Sequence, residues 1–578
     1  MQKKTGKHKY WYIVESRRVN GKPRPVVLAY LGTAETLLEK LQGVASVGKI
    51  RSYSHGAVAA LLQLAAQFQI PALINEHVQS PRPYVADKPL RNGLTVGMTL
   101  VLGAVGMVCS PTSKRGWWPW ARTTSLEYLL RLGLSRVDSQ HFWDLMDALP
   151  VEAIEKIEER LLKRVRQAYC LEGDTLYFDT TNFFTFIATT NDRCTLAKRG
   201  KNKQKRGDLR QVGLAMIVTS GDHVPLFHFT YQGNRNDGKV FKEVLGTIQS
   251  RMAALKMDIE GHTLVFDRGN NSKENMALVA EAKMHYVGAL TPCHHKGLVA
   301  DAERHFASAA GDGQDCVVYR SKETIWGAER TVLVFISDKL KAGQLRGIHA
   351  SLERKQEKLR ELQKSLEKPT SRMTDREKVE AKIAAIVKGQ FVTTLIRWTL
   401  RAEADGRLQL SFHIDQDRLG ALEDQLGLRI LMTSRHDWSN EKVIQTFHGQ
   451  AFVENAFKNI KNPYHLTLKP QHHWTDQKIR VHYFMGVLGY LMSTLLLKQA
   501  RERCGYDGTL DNLLDSLNNI RLAAHIAPKE GRGRPSVTYQ LEEMDPEEET
   551  LARAFGLEEL HTHRPEIDQV GVYTERTV

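Results

Sequence analysis

Two apolar stretches that each run into an aspartate decide the fold: Leu176-Tyr177-Phe178-Asp179-Thr180-Thr181 and Leu264-Val265-Phe266-Asp267-Arg268-Gly269. Their short apolar runs predict buried strands, and the helical pattern over residues 240–255 between them predicts an α/β sheet. A carboxylate in such a run is costly unless it is paired, hydrogen-bonded or bound to a metal. On adjacent strands the two carboxylates would repel each other, and a divalent cation would relieve that repulsion. Two capping aspartates at strand ends are the alternative interpretation.

A third acid follows in a segment with helical periodicity. The segment has four positions at helical spacing: Phe447, Gln450, Glu454 and Lys461. Steps of three, four and seven residues place all four on one face of a continuous helix. Glu454 would then complete a metal site, and Lys461 would hold a phosphate beside it. The alternative is a surface helix with an ordinary Glu/Lys face.

Together with the two aspartates, this segment resembles the DDE triad of bacterial insertion-sequence transposases, in the branch called the insertion-sequence-four superfamily. The signature of that branch is Tyr-x2-Arg-x3-Glu-x6-Lys. Here Glu454 and Lys461 match, whereas Phe447 replaces the tyrosine and Gln450 replaces the arginine. Gln lacks the fixed charge and the bidentate fork of Arg. The resemblance covers about residues 170–500 and implies an RNase H-like fold that is interrupted by an insertion before the glutamate.

The resemblance also implies a function. The protein would be a DNA transposase that cleaves at insertion-sequence ends and joins the freed 3′-hydroxyls to target DNA. Asp179, Asp267 and Glu454 would be the catalytic residues and the ligands of two Mg²⁺ ions, with Mn²⁺ as a substitute, in two-metal phosphoryl transfer. Synapsis of two DNA ends implies a homodimer, for which the leucine-rich helix over residues 352–366 is a candidate contact. The expected location is the bacterial cytoplasm, at the nucleoid.

The charge balance indicates a polyanionic partner, because Lys and Arg number 81 against 66 Asp and Glu, a formal charge of +15. The densest cationic segment lies between the first two core strands. A mobile clamp on the backbone of double-stranded DNA is one interpretation of this segment, and a solvated hairpin tip is the other. The predicted DNA-binding residues of this segment and of the glutamate helix are Lys198, Arg199, Lys201, Lys203, Lys205, Arg206, Gln450, Lys458 and Lys461.

The order of the predicted elements gives an α/β protein whose RNase H-like core is interrupted by a mixed strand and helix insertion, with a mainly helical N-terminal region opened by a β-hairpin. The predicted regions are a basic β-hairpin unit (1–32), a helical, DNA-end-binding region (33–170), the core (171–299 and 428–505), an insertion with a helical hairpin (300–427) and a charged C-terminal tail (506–578) that is partly flexible after about residue 525. The most apolar stretch, residues 94–109, is too short to span a bilayer. We expect it to be a buried helix, and we expect no membrane contact.

Two other functions remain open on the sequence alone. A transposase-derived protein that binds DNA without cutting it is compatible with the replacements at Phe447 and Gln450, whereas the intact acid triad argues against it. A stand-alone Mg²⁺-dependent nuclease would cut DNA without joining it.

Overall fold

The structure is a computed structural model of the whole chain. It describes residues 1–5, 8–19, 22–34, 38, 49–78, 94–169, 171, 174–188, 190–202, 204–257, 259–311, 318–368, 373–403, 406–469, 471–527 and 535–560. Within the predicted β-hairpin unit, Asn20-Gly21, a dipeptide typical of a hairpin turn, lies outside the described residues, and so does Lys203 of the basic segment.

The strands are β1 (Gln2–Thr5), β2 (His8–Val19), β3 (Lys22–Gly32), β4 (Lys49–Ser54), β5 (Thr175–Thr185), β6 (Arg210–Thr219), β7 (Pro225–Gln232), β8 (Thr263–Phe266), β9 (His285–Leu290), β10 (Val318–Ile325), β11 (Ala328–Ile336), β12 (Ile396–Ala402), β13 (Leu408–Ile414), β14 (Leu428–Thr433), β15 (Arg521–Ile526) and β16 (Val537–Leu541).

The helices are α1 (Gly56–Gln67), α2 (Ile70–Asn75), α3 (Val96–Cys109), α4 (Trp117–Ala121), α5 (Leu126–Leu130), α6 (Ser139–Ala148), α7 (Val151–Ala168), α8 (Asp237–Ala254), α9 (Lys273–Glu281), α10 (Lys296–Gly311), α11 (Asp338–Glu367), α12 (Arg376–Val387), α13 (Val392–Leu395), α14 (Gln416–Asp424), α15 (Asn440–His448), α16 (Ala451–Ile460), α17 (Asp476–Cys504), α18 (Leu510–Asn519), α19 (Pro546–Ala554) and α20 (Leu557–Leu560).

The chain forms two units. The first comprises residues 1–170, 183–197 and 456–578, and the second comprises residues 171–182 and 198–455. Both β5 and α16 pass from one unit into the other.

The second unit is built on an eight-stranded sheet in the order β10-β11-β14-β9-β8-β5-β6-β7. β5 pairs with β8, and β8 with β9, in parallel, whereas β9 and β14 are antiparallel. On one face Phe241 of α8 packs between Phe178 and Phe266, with ring centroids 5.2 and 5.1 Å apart. The five strands from β7 to β9 form the predicted RNase H-like core, and the predicted α/β fold class is confirmed.

The insertion has a hydrophobic core of its own, formed by α11 to α14 with the hairpin β12–β13. The predicted helical hairpin is confirmed as α11 and α12. The regular leucines of α11, including Leu352, Leu359 and Leu366, are buried in this core. They are therefore not available as a dimer contact, and that part of the sequence interpretation is wrong. The strands β10 and β11, which the sequence analysis placed in the insertion, extend the large sheet through pairing of β11 with β14.

The first unit is mainly helical around α3 and α17. α3 confirms the predicted buried helix, since all of its residues are buried. α17 is long and apolar enough to cross a membrane by length and composition, and 94% of its apolar window is buried inside the protein. Its fully buried residues include Tyr483 and Tyr490, so α17 is a central core element of this unit.

Two small sheets complete the first unit. The predicted basic hairpin is confirmed as antiparallel β2 and β3, with β1 added on the other edge of β2. The region after residue 525 was predicted to be a partly flexible tail. Instead, β16 pairs with β15, and α19 and α20 follow it with Leu551 and Leu557 buried, whereas residues 528–534 and 561–578 of the predicted tail lie outside the described residues. Apolar positions spaced among the charges explain this difference.

Candidate active site

The two predicted catalytic aspartates lie side by side at the end of the parallel strands. In β5 and β8 the last register partners are Phe178 and Phe266, so Asp179 and Asp267 occupy the next position along each strand. Neighbouring strands in a sheet are about 4.8 Å apart. The parallel register therefore brings together two acids that are far apart in the sequence.

Both aspartates lie on one face of the sheet. Side chains two residues apart in a strand share a face, so Asp179 shares the face of Tyr177. Asp267 still has an extended backbone (φ −72°, ψ 156°), so it shares the face of Val265, which is the register partner of Tyr177. Phe178 and Phe266 occupy the opposite face, against α8.

Neither aspartate is deeply buried. Asp179 is half-buried and Asp267 is exposed, so the burial cost that the sequence suggested does not apply to Asp267. Its carboxylate caps a short 3-10 turn over residues 268–270, where the Arg268 backbone N–H donates to Asp267 Oδ1 at 2.7 Å. The capping interpretation is therefore correct for one oxygen of Asp267, and the other oxygen is not part of this bond.

The helix that carries Glu454 packs over the same sheet face as the aspartates. Phe452 of α16 meets Tyr177 edge-on, with ring centroids 5.3 Å apart, and the His223 ring stacks on Phe452 with centroids 4.4 Å apart. Gly449 lies so close to Tyr177 that a Cβ there would be 2.1 Å from the Tyr177 hydroxyl oxygen. Burial raises the pKa of Tyr177 to about 12, so this hydroxyl stays neutral. Glu454 itself is exposed.

The three acids are not close enough together in the structure to coordinate one metal ion jointly. In the part of the chain that the structure describes, no three His, Cys, Asp or Glu side chains lie close enough together to hold a metal ion. The donors present fit Mg²⁺ or Mn²⁺, because all three are carboxylates and these hard ions prefer oxygen ligands. The exposure of Asp267 and Glu454 leaves them accessible to ions and to phosphates.

Arg429, at the start of β14, was missed by sequence reasoning. Its guanidinium lies over the Phe447 ring, 5.1 Å from the centroid, and within electrostatic range of Asp267. Burial lowers the pKa of Arg429, and the charge of Asp267 opposes that shift. The Nε atom is buried without a hydrogen-bond partner among the described residues. The available signal was an arginine within the apolar strand Leu428-Arg429-Ile430-Leu431-Met432.

The two departures from the family signature fall at buried positions. The predicted continuous helix breaks at Gly449-Gln450, between α15 and α16. Phe447 is 5% exposed beneath Arg429, and Gln450 is 8% exposed. The prediction that the Gln450 side chain contacts DNA is therefore not supported, because the helix break turns that residue into the core.

The two lysines after the glutamate both belong to the first unit, Lys458 within α16 and Lys461 directly after its end. Lys458 is exposed. The ammonium of Lys461 lies over the Phe183 ring, 5.0 Å from its centroid, within the same unit. Their contacts with DNA stay predictions.

The basic segment is a hydrogen-bonded loop. The Asn202 amide donates to the carbonyls of Gly200 (3.2 Å) and Arg206 (3.1 Å), and the Arg206 N–H donates back to Asn202 Oδ1 (2.9 Å). The Arg206 guanidinium donates to both oxygens of Asp208, at 2.8 and 2.6 Å, and lowers the pKa of that acid to about 2. Asp208 therefore offsets one charge of the predicted clamp. The other cations whose exposure is described are exposed: Lys198, Arg199, Lys201 and Lys205.

Comparison with known proteins bears on this arrangement. The family model of the transposase DDE domain matches residues 184–482, about half of the chain, and the model of the IS1634 family transposase N-terminal domain matches residues 1–57. The chain belongs to the DDE transposase family. It is therefore a transposase enzyme that acts on DNA, as the resemblance implied. The DDE match begins five residues after Asp179, so the assignment of that acid depends on the strand register with Asp267.

Other comparisons add little information about the fold or function of this DDE transposase. No curated protein matches the chain. Among solved structures, a piggyBac transposase synaptic complex with hairpin DNA is similar at 8% identity and a TM-score of 0.39, covering 79% of each chain. A likeness at this level carries no weight for fold or function.

Proposed function

We propose that this DDE transposase performs Mg²⁺-dependent cleavage at insertion-sequence ends and transfers the freed strands into target DNA, with Asp179, Asp267 and Glu454 as the metal ligands. One observation carries the proposal: the parallel register sets the two aspartates side by side. The glutamate helix packs on the same face through Tyr177. Carboxylates from neighbouring strands and a covering helix supply the oxygen donors that Mg²⁺ prefers.

The proposed roles follow from the local geometry. Bound divalent ions would lower the pKa of an attacking water or 3′-hydroxyl and offset charge on the leaving oxygen. Asp267 keeps one oxygen for a ligand while the other accepts the Arg268 N–H, which fixes the orientation of the carboxylate. Arg429 sets a positive charge near Asp267.

Assembly and location are also part of this proposal. Cleavage and joining at two ends of one element require both ends in one complex, which a homodimer on double-stranded DNA provides. The substrate of the reaction is chromosomal DNA, so we infer action at the nucleoid in the bacterial cytoplasm.

The test places the gene with its native flanking DNA on a plasmid in cells and scores excision and new insertions for the wild type and for Glu454→Gln. We expect movement in the wild type and none in Glu454→Gln, because the amide cannot supply a carboxylate ligand. The matched control is Glu441→Gln, which neutralises an exposed glutamate on α15 and should leave movement unchanged.

Other outcomes separate the rival functions. No movement in the wild type, together with retained binding to the flanking DNA, would favour the DNA-binding protein without cleavage. Mg²⁺-dependent cutting of purified flanking DNA without joined products would favour the stand-alone nuclease. Equal movement in the wild type and in Glu454→Gln would remove Glu454 from the ligand set.

A further inference from the structure

The first unit contains a pocket that none of the proposed metal ligands lines. Its volume is about 350 Å³, at the lower end of the range of about 300–1,000 Å³ that small-molecule sites occupy. Three parts of the chain line it: the turn before α4, the helix α6, and the start of α17 with the segment before it. All three parts belong to the first unit, so one folded body forms the whole pocket.

The walls of this pocket are aromatic. Trp143 lies on α6 and Trp474 lies just before α17, and they are 38% and 55% exposed. Exposed apolar ring surface is unfavourable in water, and a bound ring that covers it gains free energy. Aromatic rings also pack on one another edge-on or offset-stacked, with centroids about 4.5–7 Å apart. The walls therefore favour a planar, aromatic ligand.

The charged residues of the pocket are all positive. Lys114 and Arg115 line it, and its described lining includes no Asp or Glu. The Lys114 ammonium lies over the Phe142 ring, 5.2 Å from the centroid. Burial lowers the pKa of Lys114 to about 8, and no carboxylate of the described residues opposes this shift. Most molecules carry this charge at neutral pH, and a partly desolvated cation of this kind is stabilised by an anion beside it.

Two neutral imidazoles line the buried side of the pocket. His473 and His482 are 8% and 6% exposed, with ring centroids 4.8 Å apart. Burial lowers the pKa of both rings, and the charge of Lys114 lowers it further. His482 Nε2 donates to the Leu468 carbonyl at 3.2 Å, because a carbonyl can only accept, and its Nδ1 is buried without a partner among the described residues. Buried polar atoms without a partner are rare in folded proteins and call for a functional explanation.

We propose that this pocket binds a small aromatic anion, a planar ring system that carries a group such as a carboxylate. The ring packs against Trp143 and Trp474, and the anionic group pairs with Lys114. Such a site goes beyond the proposed function, because neither the metal ligands nor the DNA substrate takes part in it.

The test uses probes that share one ring system and differ in charge. Indole-3-acetate is anionic, indole-3-acetamide is neutral and tryptamine is cationic. Each probe is titrated into the full-length protein near neutral pH by isothermal titration calorimetry, with a metal chelator and without DNA. We expect indole-3-acetate to bind with a Kd below about 1 mM and indole-3-acetamide to bind about 10-fold more weakly, because it lacks the charge-assisted contact with Lys114. Tryptamine should not bind.

Substitutions at the pocket separate the contribution of charge from that of ring packing. Lys114→Met should weaken indole-3-acetate by about 10- to 100-fold and leave indole-3-acetamide unchanged. The matched control, Lys156→Met, removes the same charge from an exposed position of α7 and should leave both affinities unchanged. Trp474→Ala should weaken both probes by a similar factor, about 10-fold, whereas Trp11→Ala, at an exposed tryptophan of β2, should not.

Two results in the wild type, where no substitution can disturb the fold, would overturn the proposal: no binding of indole-3-acetate, or equal binding of all the probes. Equal affinities of Lys114→Met and Lys156→Met for indole-3-acetate would also contradict it. Displacement of indole-3-acetate by duplex DNA would assign the pocket to the DNA surface and refute a site for a free ligand. Cleavage of flanking DNA is scored separately, so failure of the proposed function does not change these outcomes.

Discussion

Gly449, between α15 and α16, offers a direct test of how the glutamate helix is positioned. Its φ is −61°, which any residue adopts, so the glycine is needed for space and not for backbone conformation. A Cβ at this position would lie 2.1 Å from the hydroxyl oxygen of Tyr177 and 2.5 Å from Cζ of the same ring. We therefore predict that Gly449→Ala pushes α16 away from β5.

The size of the effect follows from these distances. Ordinary contacts begin at 3.4 Å, so the ring or the helix must move by roughly 1.3 Å, and such overpacking costs about 1–3 kcal/mol of unfolding free energy. Tyr177 lies two residues before Asp179, and Phe452, which packs on Tyr177, lies two residues before Glu454. A displacement of about 1 Å between reacting groups costs on the order of 100-fold in rate. Cleavage should therefore fall by about that factor while the protein stays folded.

The assay compares the rate of cleavage of flanking DNA with the urea unfolding curve for Gly449→Ala and for Gly420→Ala. Gly420 lies in α14, and a Cβ there meets no atom within 4 Å. The control substitution should stabilise its helix by up to about 1 kcal/mol, because alanine favours helix more than glycine does, and it should leave cleavage unchanged.

A second variant tests whether the effect of Gly449→Ala comes from the clash with the Tyr177 ring. In a Tyr177→Leu background the ring is absent, so adding Gly449→Ala should cost much less stability than it does in the wild type. If Gly449→Ala cleaves DNA as fast as Gly420→Ala, contact with Tyr177 does not set the position of Glu454, and the packing argument for the site fails.

Two further predictions concern pH and charge. Burial lowers the pKa of His482 to about 3, whereas the unfolded chain takes up that proton near pH 6.5. The unfolding free energy should therefore fall as the pH drops from 6.5 towards 3, by up to about 1.4 kcal/mol per pH unit. His482→Gln should flatten this slope in urea unfolding, and an unchanged slope would contradict the assignment. Asp208→Asn should release Arg206 and raise the salt slope of DNA binding by about 1 if the basic loop contacts phosphates, whereas Asp424→Asn, at an exposed position of α14, should not.

The strands and several helices could be predicted because their patterns are local. The apolar runs before Asp179 and Asp267 became β5 and β8, and the charge-free stretch at residues 94–109 became α3. The leucine repeat of α11 was recognised as the apolar stripe of a helix, but the elements against which that stripe packs were not predicted. Whether such a stripe packs within the chain or against a second copy depends on elements distant in the sequence, here β13 and α12.

From the sequence, the proximity of the two aspartates could be predicted only on the condition that their strands are neighbours. It required β5 and β8 to be neighbours, parallel and in a register that aligns Phe178 with Phe266, and each of these is a tertiary property. Arg429 was missed for the same reason. It lies in β14, on the other side of β9 from β8, and only the sheet order brings it near Asp267.

The helix break before Glu454 explains why the departures from the family signature are compatible with an intact acid triad. In one continuous helix Phe447 and Glu454, seven residues apart, would share a face, and the replacements would then lie directly beside the glutamate that we propose as a metal ligand. The break at Gly449-Gln450 resets the helical phase, so Phe447 and Gln450 are buried while Glu454 is exposed. The replacements therefore lie at two buried positions, of which Phe447 packs beneath Arg429, and the carboxylate proposed to bind metal is left unchanged.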